Sequence, residues 1–238
     1  NQDKATPSLI GDVPKGALLN QAPIFLGGQG GLVGPCRITF GTILGAGSLC
    51  RNDQLTPNRL VFEGNATKGS IPFKSGIYRN VNRVLVNNFY YLGNLFALGQ
   101  WYRHVRIRFI GTEMPELLYE GLLATMDVAV NERISQLGRL ARKMKSGAGE
   151  GSLQQQFATR WEEIEASLGQ LYENEGNASA KDGFLSELDN HVLKGGAVYL
   201  DTIHRLNQHQ AELGTNWLET IVEAVLGKMA EILPLLKI

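Results

Sequence analysis

An apolar residue recurs at every sixth position of the chain between residues 26 and 55. The recurring positions are occupied by Leu26, Leu32, Ile38, Leu44 and Cys50. A fixed period this short is typical of a stacked repeat, and a six-residue period is typical of parallel β-helices. In such a fold about three hexads make one turn of the coil, and the recurring side chain points inward. The pattern therefore predicts a short parallel β-helix near the N-terminus.

The hydrophobic period changes between Arg83 and Arg103. Apolar residues there follow one another at steps of three and four, at positions Leu85, Phe89, Leu92, Leu95 and Phe96. Such steps place side chains on one face of an α-helix. We therefore predict an amphipathic helix over 83–103, weakened at Gly93 and Gly99. Residues 105–109 alternate apolar and basic side chains, so a short strand and the exit of the helix are both consistent with them.

Helical periodicity continues through the C-terminal half of the chain. Thr112, followed by acidic residues and Pro115, predicts a capped helix start. The next apolar stripes run over 157–171 and 184–206, and Thr215 is positioned to cap a last helix. Four antiparallel helices joined by short turns bury such stripes as a bundle.

These patterns together predict a mixed α and β fold, in which a short β-helix is followed by an α-helical bundle. The changes of period set the predicted domain boundaries. Residues 1–73 form the repeat unit, residues 74–111 form a basic connecting segment with a helix, and residues 112–238 form the bundle.

The hexads, above all Leu44-Gly45-Ala46-Gly47-Ser48, resemble those of left-handed β-helix proteins, the hexapeptide-repeat family. The resemblance implies a left-handed coil, which departs from the usual right-handed crossover. With its helical sequel, the chain is most similar to the C-terminal part of proteins related to UDP-N-acetylglucosamine pyrophosphorylase. This similarity implies a non-catalytic C-terminal module of a sugar-nucleotide pyrophosphorylase-like protein, a nucleotidyltransferase acting on sugar-1-phosphates.

The same resemblance implies partners and cofactors. A β-helix of few turns has flat sides that associate, so we expect a homo-oligomer, with a trimer as the first expectation and a dimer through the bundle as the second. Asn1 is not an initiator methionine, so we expect a catalytic domain upstream of it. Any Mg²⁺ would belong to that domain, and no cofactor is expected in this chain.

Overall composition narrows the classes of partner. The 238 residues include 23 basic and 23 acidic side chains, so net charge gives no argument for nucleic acid or an anionic membrane. No apolar run approaches the roughly 20 residues needed to cross a bilayer. We therefore expect a cytoplasmic protein that binds neither. Cys36 and Cys50 are expected to be buried free thiols, with a disulfide as the alternative.

Acyl transfer is the activity most readily expected of hexapeptide repeats. It needs a general base, usually a histidine close to the repeats. Of the four histidines, only His104 lies near the repeats in sequence. A hexapeptide-repeat acyltransferase acting on a sugar or nucleotide sugar is therefore kept as an alternative function.

Other catalytic patterns are absent from the sequence. Gly27-Gly28-Gln29-Gly30-Gly31 is rich in glycine, but hexad corners explain it better than a phosphate-binding loop does. There is no Cys/His set at zinc spacing, no Walker loop and no nucleophile elbow. We predict no catalytic and no metal-ligating residue in this chain.

A basic cluster lies between Thr56 and Gly111, where eight Lys and Arg side chains face one acidic residue, Glu63. Bidentate Arg contacts suit a phosphate or a nucleotide sugar. The predicted binding residues, which we expect to share a cleft, are Arg79, Arg83, Arg103, His104 and Arg106. In the alternative, the cluster docks against acidic residues of the bundle, which are Glu162, Glu163, Glu165, Glu173 and Glu175. A third possible function is an oligomerisation or interaction scaffold whose bundle binds a partner helix.

Overall fold

The structure is a computed structural model, and it describes residues 7–64, 80–111, 114–145, 149–195 and 198–238, with the side chains of 194 and 195 excepted. The described part is a mixed α and β protein, mostly helical. Its strands are all two residues long: β1 Leu9–Ile10, β2 Phe25–Leu26, β3 Gly31–Leu32, β4 Arg37–Ile38, β5 Ile43–Leu44, β6 Leu49–Cys50 and β7 Leu60–Val61.

The strands pair in parallel in three small sheets, with orders β1-β4, β2-β5-β7 and β3-β6. Leu26 lies beside Leu44, and Leu32 lies beside Cys50, so these partners are three hexads apart in the sequence. The hexad period therefore matches the pairing of β2 with β5 and of β3 with β6, whereas β1 with β4 and β5 with β7 pair at other spacings.

The predicted left-handed β-helix is nevertheless wrong. Two-residue strands in sheets of two or three are too short and too few to build one. Glycine or proline follows within a few residues of most strands, as Gly34 and Pro35 do after β3 and Gly45 does after β5. Both residue types weaken or end strands, so the pairing stops before continuous faces form.

The inward positions of the hexads are only partly buried. Ile38, Leu44 and Cys50 form a small core, against which Leu32 packs. Leu26 is 47 % exposed, contrary to its predicted inward position. It lies on β2, an outer strand of its sheet, although Cys50, which also has one neighbouring strand, is buried.

The remaining elements are helices. They are α1 Val13–Gly16, α2 Val81–His104, a 3₁₀ helix Arg106–Phe109, α3 Glu116–Met144, α4 Leu153–Thr159, α5 Trp161–Tyr172, α6 Ala178–Gly195, α7 Tyr199–His204 and α8 Gln208–Ile232.

The helix predicted over 83–103 is confirmed as α2, but it is not amphipathic. Apolar side chains such as Phe89 and polar ones such as Asn87 and Gln100 are both buried around it. It packs most extensively against α8 and also contacts α1 and α3. Residues 106–109 continue α2 as a 3₁₀ turn, so the helix exit is the correct alternative for that segment.

The C-terminal helices differ in their ends from the prediction. The stripe over 157–171 is divided at Arg160 into α4 and α5, and the stripe over 184–206 is divided into α6 and α7. The last helix begins earlier than predicted, at Gln208, and is capped by Asn207, whose side chain forms a capping box with Gln210. Thr215, the predicted cap, lies inside α8, and Thr112 lies outside the described residues.

The N-terminal segment packs directly on the helices. Leu18 belongs to the main helical core, and α1 contacts both α8 and α2. The backbone N–H of Val13 donates to Asn94 Oδ1 at 2.6 Å, and Thr215 Oγ1 donates to the carbonyl of Pro14 at 3.1 Å. The division into domains at 73 and 111 stays a prediction, and these contacts run across both boundaries.

Candidate functional site

The predicted phosphate-binding residues are spread along α2 and beyond it. Arg83 lies in the first turn of α2, whereas Arg103 and His104 lie in its last turn. Twenty helical positions correspond to about 30 Å, so Arg83 does not share a cleft with Arg103. Arg106 follows in the 3₁₀ helix, and Arg79 lies outside the described residues.

Arg83 is directed toward the strands. Its Nη2 lies 3.2 Å from Cys36 Sγ and 3.8 Å from Asp53 Oδ1. Asp53 also accepts from Arg37 Nε at 3.2 Å, so one carboxylate serves two guanidinium groups. Both cysteines are free and buried. Burial raises the pKa of the Cys36 thiol, and the positive charge of Arg83 opposes that rise.

The last turn of α2 lies against the turn between α5 and α6. Arg103 Nη1 is 3.6 Å from Glu173 Oε2, and its guanidinium lies 4.8 Å from the centre of the Tyr172 ring. His104 Nε2 is 3.5 Å from Glu175 Oε1. Two of the five acidic residues named in the docking alternative, Glu173 and Glu175, thus lie beside the basic residues at the end of α2.

His104 is held between Glu175 and an aromatic ring. The imidazole meets the edge of Trp217 with ring centres 6.0 Å apart. Burial lowers the pKa of His104, and the carboxylate of Glu175 opposes that shift. The same carboxylate pairs with Lys181, a hydrogen bond that lowers the pKa of Glu175.

Arg106 has an aromatic partner. Its guanidinium lies 3.8 Å from the centre of the Tyr199 ring, which is cation–π geometry. Tyr199 Oη in turn accepts from Trp101 Nε1 at 3.1 Å, and burial raises the pKa of Tyr199. Arg83, Arg103, His104 and Arg106 thus each contact a partner within the chain.

A cavity of about 310 Å³ opens between the N-terminal segment, α2 and α8. This cavity, here called the α8 cleft, was not predicted. Its apolar lining comes from several elements and consists of Leu9, Pro14, Ile38, Leu55, Val222 and Leu226. Its charged lining consists of Asp12, Lys15, Arg37, Glu219 and Glu223.

Two of those charged groups have structural roles. Arg37 is paired with Asp53 and lies 4.1 Å from the centre of the Tyr90 ring. Asp12 caps α1, where its Oδ1 accepts from the backbone N–H of Lys15 at 2.9 Å.

Burial raises the pKa of Glu219, another charged group of the lining. The charges of Asp12 and Glu223 raise this pKa further, whereas the charge of Lys15 lowers it.

A second unpredicted feature is a row of exposed apolar side chains on the three-stranded sheet. Phe25, Ile43 and Leu60 are direct register partners on β2, β5 and β7. They are 61 %, 44 % and 58 % exposed. Phe62 is 75 % exposed, and its ring lies over Gly45, where an added Cβ would come within 2.7 Å of it. These four residues are here called the apolar row.

A signal for the apolar row is present in the sequence. In a strand, neighbouring side chains point to opposite faces. The residue before an inward hexad position therefore points outward, where a polar residue is expected. Phe25 precedes Leu26 and Ile43 precedes Leu44. Apolar residues at these outward positions are therefore the sequence signal that indicates the apolar row. The α8 cleft has no such signal because its walls are distant in sequence.

No group of three or more His, Cys, Asp or Glu side chains within the described ranges is arranged to hold a metal ion. Among the helices described, none combines the length and the apolar run that crossing a membrane requires. Comparison of the chain with protein-family models, curated proteins and solved structures found no match.

Proposed function

We propose that this protein is an interaction module that self-associates through the apolar row. The observation that carries the proposal is the alignment of Phe25, Ile43 and Leu60 across three paired strands with their side chains exposed. Large exposed apolar patches on folded proteins mark interaction sites. Scattered single apolar residues do not have this meaning, but side chains in direct register form a continuous surface.

The size of the row suggests how strong the association is. Its four side chains expose on the order of 400 Å² of apolar surface in each copy, since an aromatic side chain alone covers roughly 150–250 Å². Doubled across a pair, that area is about 800 Å², below the roughly 1,200–2,000 Å² buried by stable specific interfaces. The proposed association is therefore weak and depends on protein concentration.

A second copy of the chain is the occupant that the row suits best. Phe25, Ile43, Leu60 and Phe62 carry no charge and no side-chain hydrogen-bonding group, so their complement is another apolar surface. A two-fold axis brings the same patch of both copies together, which is the commonest arrangement of homo-oligomers. The homo-oligomer implied by the hexads is thus proposed as a dimer through the sheet.

The nucleotide-sugar functions have less support. Their predicted residues Arg103, His104 and Arg106 already contact Glu173, Glu175 and Tyr199. The role as a module of a pyrophosphorylase-like protein and the acyltransferase alternative stay predictions, as does a cytoplasmic location.

Sedimentation equilibrium over a range of protein concentrations tests the proposal. For the wild-type chain we expect a weight-average mass that rises with concentration toward twice the mass of one chain. Ile43→Asp places a charge in the centre of the row and is expected to abolish that rise. Val128→Asp is the matched control, because Val128 is an exposed apolar residue on α3, outside the row.

Two outcomes would overturn the proposal. One is a wild-type chain with the mass of a single copy at every concentration. The other is an Ile43→Asp variant that assembles as the wild type does. Because Ile43 is exposed, we expect the variant to keep the wild-type circular dichroism spectrum.

A further inference from the structure

The α8 cleft contains a half-buried carboxylate, Glu219, that its surroundings do not neutralise. Glu219 and Glu223 lie four positions apart on α8, so both side chains project from the same face of the helix. Glu219 is half-buried, whereas Glu223 is exposed to solvent. Within the part of the chain that the structure describes, neither carboxylate forms a hydrogen bond or an ion pair. Asp12, already the cap of α1, adds a third negative charge to the lining.

The positive charges of the cleft do not balance these groups. Arg37 is paired with Asp53, outside the cavity lining. Lys15 attracts Glu219, but burial outweighs that attraction and the pKa of Glu219 is raised. A half-buried carboxylate without a bonded partner opposes folding. Such groups concentrate at functional sites, where a ligand supplies the missing partner.

The rest of the lining limits the size and nature of a ligand. A cavity of about 310 Å³ is at the small end of ligand sites. Leu9, Leu55 and Leu226 supply apolar walls beside the carboxylates. A ligand that fits both features has a charged head and a short apolar body.

We propose that the α8 cleft binds a small organic cation, an alkylammonium whose charged head pairs with Glu219 and Glu223 and whose chain lies against the leucines. A bare metal ion fits less well, because no metal-binding group of His, Cys, Asp or Glu exists among the described residues. It also leaves the apolar walls without a contact. The site is separate from the apolar row, so it stands independently of the proposed self-association.

Three probes of similar length and different charge test this inference. They are n-pentylamine, n-pentanol and n-pentanoate, each titrated into the full chain while amide chemical shifts are followed by NMR. We expect saturable shifts for pentylamine, centred on residues 9–15 and 219–226. Pentanol is expected to bind more weakly, because it fills the apolar part alone. Pentanoate is expected not to bind, because the carboxylates repel it.

Glu219→Gln identifies the group that recognises the charge. Removal of one charge-assisted hydrogen bond is expected to weaken pentylamine binding by about tenfold or more, while pentanol binding is unchanged. Glu231→Gln is the matched control on the same helix, because Glu231 is exposed and pairs with Lys228. That variant is expected to bind pentylamine as the wild type does.

The stability of Glu219→Gln separates lost binding from lost folding. A carboxyl whose pKa is higher in the folded state than in the unfolded state costs stability at neutral pH. The variant is therefore expected to unfold at the wild-type temperature or above it at pH 7. The inference is overturned if pentylamine fails to bind, if pentanoate binds equally well, or if a folded Glu219→Gln variant binds pentylamine as tightly as the wild type.

Discussion

At the scale of single residues, the environment of His104 couples the stability of the fold to pH. The imidazole is surrounded by groups from four places: Glu175 before α6, Lys181 in α6, Arg103 beside it on α2, and Arg108 in the 3₁₀ helix. Burial lowers the pKa of His104, and the three cationic groups among these four lower it further. The neutral form of His104 is thus favoured in the folded protein.

We expect the protein to lose stability as the pH falls below about 6.5. The pKa of His104 is lower in the folded chain than its ordinary value of 6.5, so the unfolded chain takes up this proton first. Stability present above that value is then lost as the pH falls through it. The measurement is the thermal unfolding midpoint at a series of pH values from about 7.5 to about 5.5.

Two variants identify the residue responsible. His104→Gln is expected to flatten the pH dependence in this range, whereas His209→Gln, at an exposed position on α8, is expected to leave it unchanged. An equally steep dependence in His104→Gln would show that another group is responsible.

At the same scale, the sequence predicted which of some side chains are buried but not which residues they contact. The inward positions of Ile38, Leu44 and Cys50 follow from the six-residue period, and all three are buried. Leu26 fits the same period but is exposed. The number of strand neighbours does not explain the difference, because Cys50 also has one neighbouring strand and is buried. The guanidinium of Arg83 was grouped with that of Arg103 from charge alone, and the length of α2 separates them.

At the scale of elements, the contact between α2 and α8 is central to the packing. The two helices approach closely at Gly93, where an added Cβ would lie 3.1 Å from Cα of Val222. A glycine that weakens an isolated helix thus allows two helices to pack backbone to backbone. This reason for Gly93 is visible only in the structure.

We expect Gly93→Leu to lower the free energy of unfolding by about 1–3 kcal/mol, because the larger side chain forces the two helices apart. Gly227→Leu is the matched control. Gly227 lies on α8 with no atom near its added Cβ, so its replacement is expected to raise stability by about 0.5–1 kcal/mol. Urea unfolding followed by circular dichroism measures both. A Gly93→Leu variant as stable as the wild type would contradict the close packing.

Helices were more predictable than strands at this scale. Apolar steps of three and four correctly indicated α2 and the helical C-terminal half, because a helix forms its hydrogen bonds within one segment. A strand depends on a partner distant in sequence, so the hexads predicted neighbours but not how far the pairing extends. Helix ends were missed where a side-chain cap decided them, as at Asn207.

At the scale of the whole molecule, the N-terminal segment is attached to the helices by specific polar contacts. Asn94 is buried on α2, accepts from Val13 N–H and donates to the carbonyl of Tyr90 at 2.9 Å. Thr215 on α8 reaches the carbonyl of Pro14. These bonds join segments that are far apart in the sequence, and they hold one wall of the α8 cleft in place.

We expect Asn94→Ala to loosen the N-terminal segment. The half-buried N–H of Val13 loses its acceptor, which costs about 0.5–1.5 kcal/mol. Hydrogen exchange is expected to become faster over residues 13–18, and the unfolding midpoint is expected to fall. Asn190→Ala, at an exposed position on α6, is the control and is expected to change stability by no more than about 0.5 kcal/mol. Unchanged exchange over 13–18 would refute the proposed attachment.

The order of side chains along the chain determined the hexad spacing and the helical segments. It also determined that no apolar run has the roughly 20 residues needed to cross a bilayer. These are local properties, because each depends on residues that are close together in the sequence. The tertiary structure alone decided that Phe25, Ile43 and Leu60 form one exposed row and that Glu219 lies in a cleft beside Asp12. It also decided that Arg83, Arg103 and Arg106 contact partners within the chain. The physical reason is that burial and charge pairing depend on which distant surfaces meet, and periodicity does not specify that choice.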